Sequence, residues 1–177
     1  METISADPSH PAFLPSLNHV LNIYQPNADT IYKSTYIVPG GSYRIRGTRG
    51  SLRIAKLGQF PWTTADNGKG VHAAAYNDLN TLKVDGEGRY DVILSPERPA
   101  GYGGEWWKLE PDVTYLLIRQ VSSDWSRERD PTISIERLDT PAARPRPDAK
   151  DLETRLGQLA QRTANTAIFL VDHPKQL

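Results

Sequence analysis

Acid-base or anion-binding chemistry in this chain would have to come from a small set of side chains, of which Arg119 is the most pointed. It lies on an otherwise apolar face, with Val113, Tyr115 and Leu117, of the mainly apolar run Val113 to Val121. A guanidinium buried there would need a carboxylate or other acceptors, and Asp124, Glu128 and Asp29 are the candidates. An ion pair is its plain structural role. The functional role makes Arg119 or Arg44 an anchor for an anionic or carbonyl-bearing ligand, with Tyr32 or His72 supplying a proton. Trp106 and Trp107 follow the flexible stretch Gly101 to Gly104. Adjacent strand residues face opposite sides, so one indole fills the core while the other lines a groove or the surface. The expected site thus has Tyr32, His72 and Arg119 as catalytic groups and Arg44, Tyr36, Trp106 and Trp107 as substrate-binding groups.

Other chemistries lack their parts. The histidines His10, His19, His72 and His173 are scattered, and none stands in a zinc spacing with another or with a carboxylate. There is no Gly-x-Ser-x-Gly elbow, phosphate-binding loop or dinucleotide fingerprint, and Gly101 to Gly104 opens no helix. The absence of cysteine removes thiolate nucleophiles, thiolate metal sites and disulfides. No metal and no cofactor is therefore expected, and the reducing cytoplasm is the default compartment.

Charge narrows the partners. Twenty-one Lys and Arg residues balance 21 Asp and Glu residues across 177 positions, so no excess positive charge is available for phosphates or anionic lipid. Neither nucleic acid nor a membrane is an expected partner. A small-molecule ligand is, and self-association through an edge strand or the C-terminal helix is compatible with the sequence. Met1 to His10 carries Glu2 and Asp7 and has no apolar run of the kind that a secretory signal needs.

These side chains must be placed by strands, because the middle of the chain alternates with period two. Met1 to Pro26 holds four prolines and reads as an irregular arm, with at most a helical turn around Leu17 to Tyr24. Ile31 to Ile37 is the first expected core strand, with Tyr32, Ser34 and Tyr36 on one side. Pro39 to Gly41 supplies a hairpin turn into Ser42 to Arg46, and a second turn at Gly47 to Gly50 leads into Ser51 to Leu57, which together read as a three-strand meander. The segment Gly58 to Tyr76 has no sustained period and is expected to be a long surface loop, with a helical turn allowed at Ala73 to Tyr76.

Leu79 to Val84 and Arg89 to Leu94 flank Asp85 to Gly88, a four-residue hairpin pattern. Val113 to Val121 is the strongest strand and should be central, because both its faces are partly apolar. Thr132 to Leu138 is the last strand, with Ile133 and Ile135 inward. The boundaries follow: an arm at 1–26, a β core at 27–138, a linker at 139–147 and a helix at 148–172, all one domain. Asp148 is the expected N-cap, and Leu152, Leu156, Leu159, Thr163, Ala167 and Leu170 form an apolar stripe that should lie on a partner surface. About seven strands and one amphipathic helix predict a mainly β fold, an antiparallel β-sandwich or jelly-roll-like domain.

Several phrases add a resemblance. Pro26-Asn27-Ala28-Asp29-Thr30-Ile31-Tyr32, Ser42-Tyr43-Arg44-Ile45-Arg46-Gly47, Glu105-Trp106-Trp107-Lys108-Leu109, Leu117-Ile118-Arg119 and Asp124-Trp125 occur in that order. Over Asn27 to Leu138 the chain resembles the bacterial β-sandwich domain of unknown function 1214, which often forms the C-terminal part of longer proteins behind a helical region. The resemblance implies a mainly β fold and no settled mechanism. It also implies either a short form or the C-terminal portion of a longer chain.

Two functions follow. One is a cofactor-independent enzyme, a lyase, isomerase or hydrolase, that acts on a hydrophobic or aromatic small molecule by acid-base chemistry. The other is a noncatalytic ligand-binding or assembly module in which the tryptophans are packing or interface residues. The enzyme requires a concave pocket around a group whose pKa is perturbed, whereas the module requires an apolar patch.

Overall fold

The computed structural model describes residues 7–16, 27–62 and 72–172. The expected helical turn at Leu17 to Tyr24 lies outside them. Among the described residues nine strands form two sheets: β1 (Leu14–Pro15), β2 (Thr30–Tyr36), β3 (Tyr43–Thr48), β4 (Ile54–Phe60), β5 (Ala75–Asp78), β6 (Arg89–Ser95), β7 (Glu105–Lys108), β8 (Tyr115–Val121) and β9 (Ser134–Arg137). A single helix, α1 (Ala149–Asp172), follows. One sheet runs β1-β2-β8-β4-β5 and the other β7-β6-β3-β9. The mainly β architecture expected from the two-residue alternation is therefore present.

Topology departs from the expected meander. β2 and β4 belong to the five-stranded sheet while β3, between them in sequence, belongs to the other. The turns at Pro39 to Gly41 and Gly47 to Gly50 thus carry the chain between layers. β3 pairs with β6 and β9, and β4 pairs with β8 and β5. β7 runs parallel to β6, so the sandwich is not purely antiparallel, and the short loop 96–104 connects the two strands.

Three local expectations also change. β4 continues to Phe60 and β5 begins at Ala75, so the ends of the expected loop are strand. Leu79 to Thr81 is a 3-10 turn where a strand was expected, because the Asp78 carboxylate accepts the Asn80 amide and starts the turn while Leu79 drops into the core. The Asp85 to Gly88 turn itself forms, closed by the Gly88 amide donating to the Asp85 carbonyl.

The core lies between the sheets. Tyr43 and Ile45 of β3, Val92 and Leu94 of β6, Leu116 and Ile118 of β8, and Ala55 and Leu57 of β4 are all fully buried. Gln59 is the polar member: its amide donates to Asn77 Oδ1 and to the Lys108 carbonyl at 2.8 Å each, and its carbonyl accepts the Glu110 amide at 2.9 Å. It thereby ties β4 to the end of β7 in the opposite sheet. Gly47 is required by a close approach, since a Cβ there would stand 1.9 Å from the Thr132 carbonyl oxygen.

The helix starts as expected, with the Asp148 carboxylate accepting the Asp151 amide at 2.7 Å. Its stripe does not lie on the sandwich. Leu152, Leu156, Thr163 and Ala167 are exposed and Leu159 is half-buried, because the linker 141–148 carries the helix away from the sheets.

Candidate functional site

The outer face of the five-stranded sheet breaks the rule for a two-layer sandwich, in which outward positions are polar. The register puts Tyr36, Tyr115 and Phe60 side by side on β2, β8 and β4. The next outward row holds Ser34, Leu117, Gly58 and Tyr76. Beyond it come Tyr32, Arg119, Lys56 and Asp78. The same two-residue alternation that buries Leu116 and Ile118 turns these residues outward.

Tyr115 is the centre of the aromatic group. Its ring centroid is 5.1 Å from that of Tyr36, 5.2 Å from that of Trp62 and 6.2 Å from that of Phe60, all in tilted or edge contacts. Phe60 meets Tyr76 edge-on at 6.3 Å, and both rings lie over Gly58. Burial pushes the Tyr115 phenol above the usual phenol range, and hydrogen bonds with the Ser34 and Ser16 hydroxyls pull it partly back. Those two hydroxyls are themselves 2.8 Å apart. Tyr76 is 66% exposed, so the cluster opens to solvent on the β5 side.

Arg119 stands two rows away on the central strand, exposed and without an ion pair among the described residues. Two of the three carboxylates expected to hold it are engaged elsewhere, and Asp29 forms no ion pair with it. Glu128 accepts the amides of Ser123 and Asp124 and the Ser122 hydroxyl, and Asp124 accepts Ser126. Its cross-strand neighbours are Tyr32 and Lys56, the latter 3.8 Å from Asp78.

The expected site residues thus divide. Tyr32, Tyr36 and Arg119 share this face. Arg44 lies on the outer face of the other sheet, where its guanidinium forks onto Asp91 with Nε at 2.9 and 3.0 Å. Trp106 is half-buried on the same sheet, opposite Ile93, and its indole donates to Ser95 Oγ at 3.0 Å. Trp107 is a core residue, 8% exposed. The two indoles therefore face opposite sides, as adjacent strand residues must. His72 is exposed, just before β5. Tyr115, Phe60, Trp62 and Tyr76 were not singled out from the sequence; the outward alternation of Tyr115 with Leu117 was legible, but their convergence needed the strand order.

A second group sits where the arm, linker and helix meet, in a cleft of about 260 Å³. The His10 ring lies between the Asp7 carboxylate at 3.2 Å and the Pro141 carbonyl at 3.0 Å. Burial pushes the Asp7 carboxyl up, but the Ser9 amide, His10 and Arg144 together hold it below the usual carboxylate range. This cluster fastens the arm to the linker.

Among the described residues the carboxyls and phenols that their surroundings perturb are moved away from neutral pH. Hydrogen bonding to Arg44 and Arg137 lowers Asp91 and Asp139, and burial raises Tyr43, Tyr90 and Tyr115. No cluster of three metal-ligating side chains occurs among these residues, and no described helix is long and apolar enough to cross a membrane.

Comparison with known proteins gives a structural likeness. No family model matches the chain, and no curated protein matches it by sequence. Among solved structures, an uncharacterized protein from Burkholderia cenocepacia superposes over 93% of this chain with a TM-score of 0.78 and 27% identity. A structural-genomics target from Vibrio parahaemolyticus matches over 75% with a TM-score of 0.39 and 13% identity. The chain spans 44% of the first protein and 31% of the second, less than half of each.

Proposed function

We propose that this chain is a noncatalytic binding module that takes a hydrophobic or aromatic small molecule on the outer face of its five-stranded sheet. The observation that carries this reading is the Tyr36, Phe60, Trp62, Tyr76 and Tyr115 cluster on a face that a sandwich otherwise leaves polar. Apolar surface gathered outside a core is characteristic of interaction sites. Aromatic rings at edge-to-face spacing offer a further ring both stacking area and a polarised edge.

Acid-base catalysis is the weaker reading of the same residues. A general acid or base works best with its pKa near the operating pH. The expected catalytic groups Tyr32 and Arg119 lie on a sheet face that opens to solvent beside Tyr76, where the described residues form no enclosed pocket around them.

A second reading, assembly, rests on a separate observation. The exposed helix residues Leu152 and Leu156 offer an apolar stripe, and the Burkholderia cenocepacia structure carries this fold within a chain of more than twice the matched length. On that reading the chain is the β-sandwich domain of unknown function 1214, and the stripe is covered by further chain.

Titration of the full chain with 6-phenylhexanol, followed calorimetrically, tests the binding reading. Saturable binding is expected, and Tyr76→Ala is expected to weaken it by roughly 3- to 10-fold, the equivalent of one aromatic pair. Tyr76 is largely exposed, so that variant keeps the fold. Binding unaffected by both Tyr76→Ala and Tyr36→Ala, or no binding at the solubility limit, overturns the proposal.

A further inference from the structure

Arg119 is the exception among the arginines of the strands. Arg44 pairs with Asp91, Arg46 with Glu136, Arg89 with Asp85 and Arg137 with Asp139, whereas Arg119 has no carboxylate partner among the described residues. It also sits differently. The four paired arginines belong to the four-stranded sheet, where Arg44 and Arg46 have acidic cross-strand or diagonal neighbours and Arg89 and Arg137 are met by Asp85 and Asp139 close by in sequence. Arg119 lies on the central strand of the other sheet, in a row between apolar residues. On one side are Val121 and Ile54, and on the other Leu117, Gly58 and Tyr76. Its row contains one acid, Asp78, which is engaged by Lys56 at 3.8 Å. The row Tyr32, Arg119, Lys56, Asp78 therefore keeps one uncompensated positive charge, beside a phenol that can donate.

Resting on the proposed ring site, we infer that its ligand is an elongated amphiphile whose carboxylate head is taken by Arg119 while its apolar body lies over Leu117 against Tyr76, Phe60 and Tyr115. Arg119 lies four residue steps beyond Tyr115 along β8, which is about 13 Å of extended strand. The head and body sites are thus too far apart for a compact benzoate, but within reach of an arylalkanoate or a medium-chain fatty acid. Arg119 presents a planar fork that matches a carboxylate in two hydrogen bonds, and the Tyr32 hydroxyl on the adjacent strand is placed to add a third. Lys56 lends positive field without leaving Asp78. The occupant is a free carboxylic acid in solution, since a row of one net charge is a weak match for an anionic lipid surface.

The test compares 6-phenylhexanoate with 6-phenylhexanol on the full chain at neutral pH. The acid is expected to bind about 10-fold more tightly, the size of one charge-assisted contact. Arg119→Gln is expected to erase that preference while leaving the alcohol's affinity and the thermal unfolding unchanged, because the side chain is exposed and unpaired. Added salt is expected to narrow the gap between acid and alcohol in the parent chain. Equal affinity for acid and alcohol overturns the head-group assignment and leaves the ring site standing. Binding of neither compound removes the ring site and this inference with it. A preference for the acid that survives Arg119→Gln places the head elsewhere. Sedimentation with phosphatidylserine vesicles in the absence of free-acid binding overturns the choice of a soluble ligand.

Discussion

Replacing Gln59 with leucine tests the joint between the two sheets. The side chain is wholly buried, and leucine nearly matches its volume, so the loss is polar. Three groups lose their partner: the Glu110 amide, the Lys108 carbonyl and Asn77 Oδ1. Asn77 is half-buried and can turn to water, which leaves two backbone groups without a partner. At about 1–3 kcal/mol for each unsatisfied buried group, less a partial gain from the apolar replacement, the expected net loss is about 2–4 kcal/mol. Urea unfolding followed by tryptophan fluorescence reads this as a midpoint lowered by about 1–2 M, for a slope of roughly 2 kcal/mol per M. The slope itself should not change, since the surface exposed on unfolding is the same. A loss below about 1 kcal/mol refutes the reasoning, because it means that water or a small shift satisfies these groups and that Gln59 does not tie the layers together.

Two further outcomes concern pH. Asp91 is held below the usual carboxylate range, chiefly by its hydrogen bonds from Arg44, so its contribution is present above the unfolded value of about 3.9 and is lost as pH falls below it. Asp91→Asn is expected to flatten the acid limb of a Tm-against-pH curve without moving the neutral-to-alkaline limb, and an unchanged acid limb contradicts it. Tyr43, Tyr90 and Tyr115 are held neutral, first by burial, so the stability they give is present below about pH 10 and is lost as pH rises through their raised values. Spectrophotometric titration should therefore show these three of the eight tyrosines ionising only as the chain unfolds. Ionisation of all eight together in folded protein counts against the burial described for them.

The period-two pattern was enough to identify the strands β2, β3, β6, β8 and β9, because each alternates side chains between two faces, with the inner one buried in β3, β6 and β8 and partly buried in β2 and β9. It could not assign strands to layers. The turn at Pro39 to Gly41 looks the same locally whether it closes a hairpin or crosses to the other sheet, and the choice is made by distant partners such as Arg137 opposite Tyr43. β5 was missed because Ala75 to Asp78 has no apolar alternation and pairs only along β4. Asp78 overrode the strand expected at Leu79, a capping effect stronger than the alternation that follows it. Of the site, Tyr32, Tyr36 and Arg119 were legible because they alternate on two strands. Arg44 and Trp106 were grouped with them by residue type, yet they lie on the opposite sheet. The aromatic cluster comes from four separate strands and loops, and a linear reading has no means of bringing Trp62 and Tyr76 to Tyr115.

Amide chemical-shift mapping of the full chain during titration with 6-phenylhexanoate tests the binding face most directly. The account predicts shifts confined to residues 32–36, 56–62, 75–78 and 115–119, which follow the outward rows of β2, β4, β5 and β8. Shifts centred on Ile93 and Trp106, or on the His10 and Arg144 cleft, would contradict it.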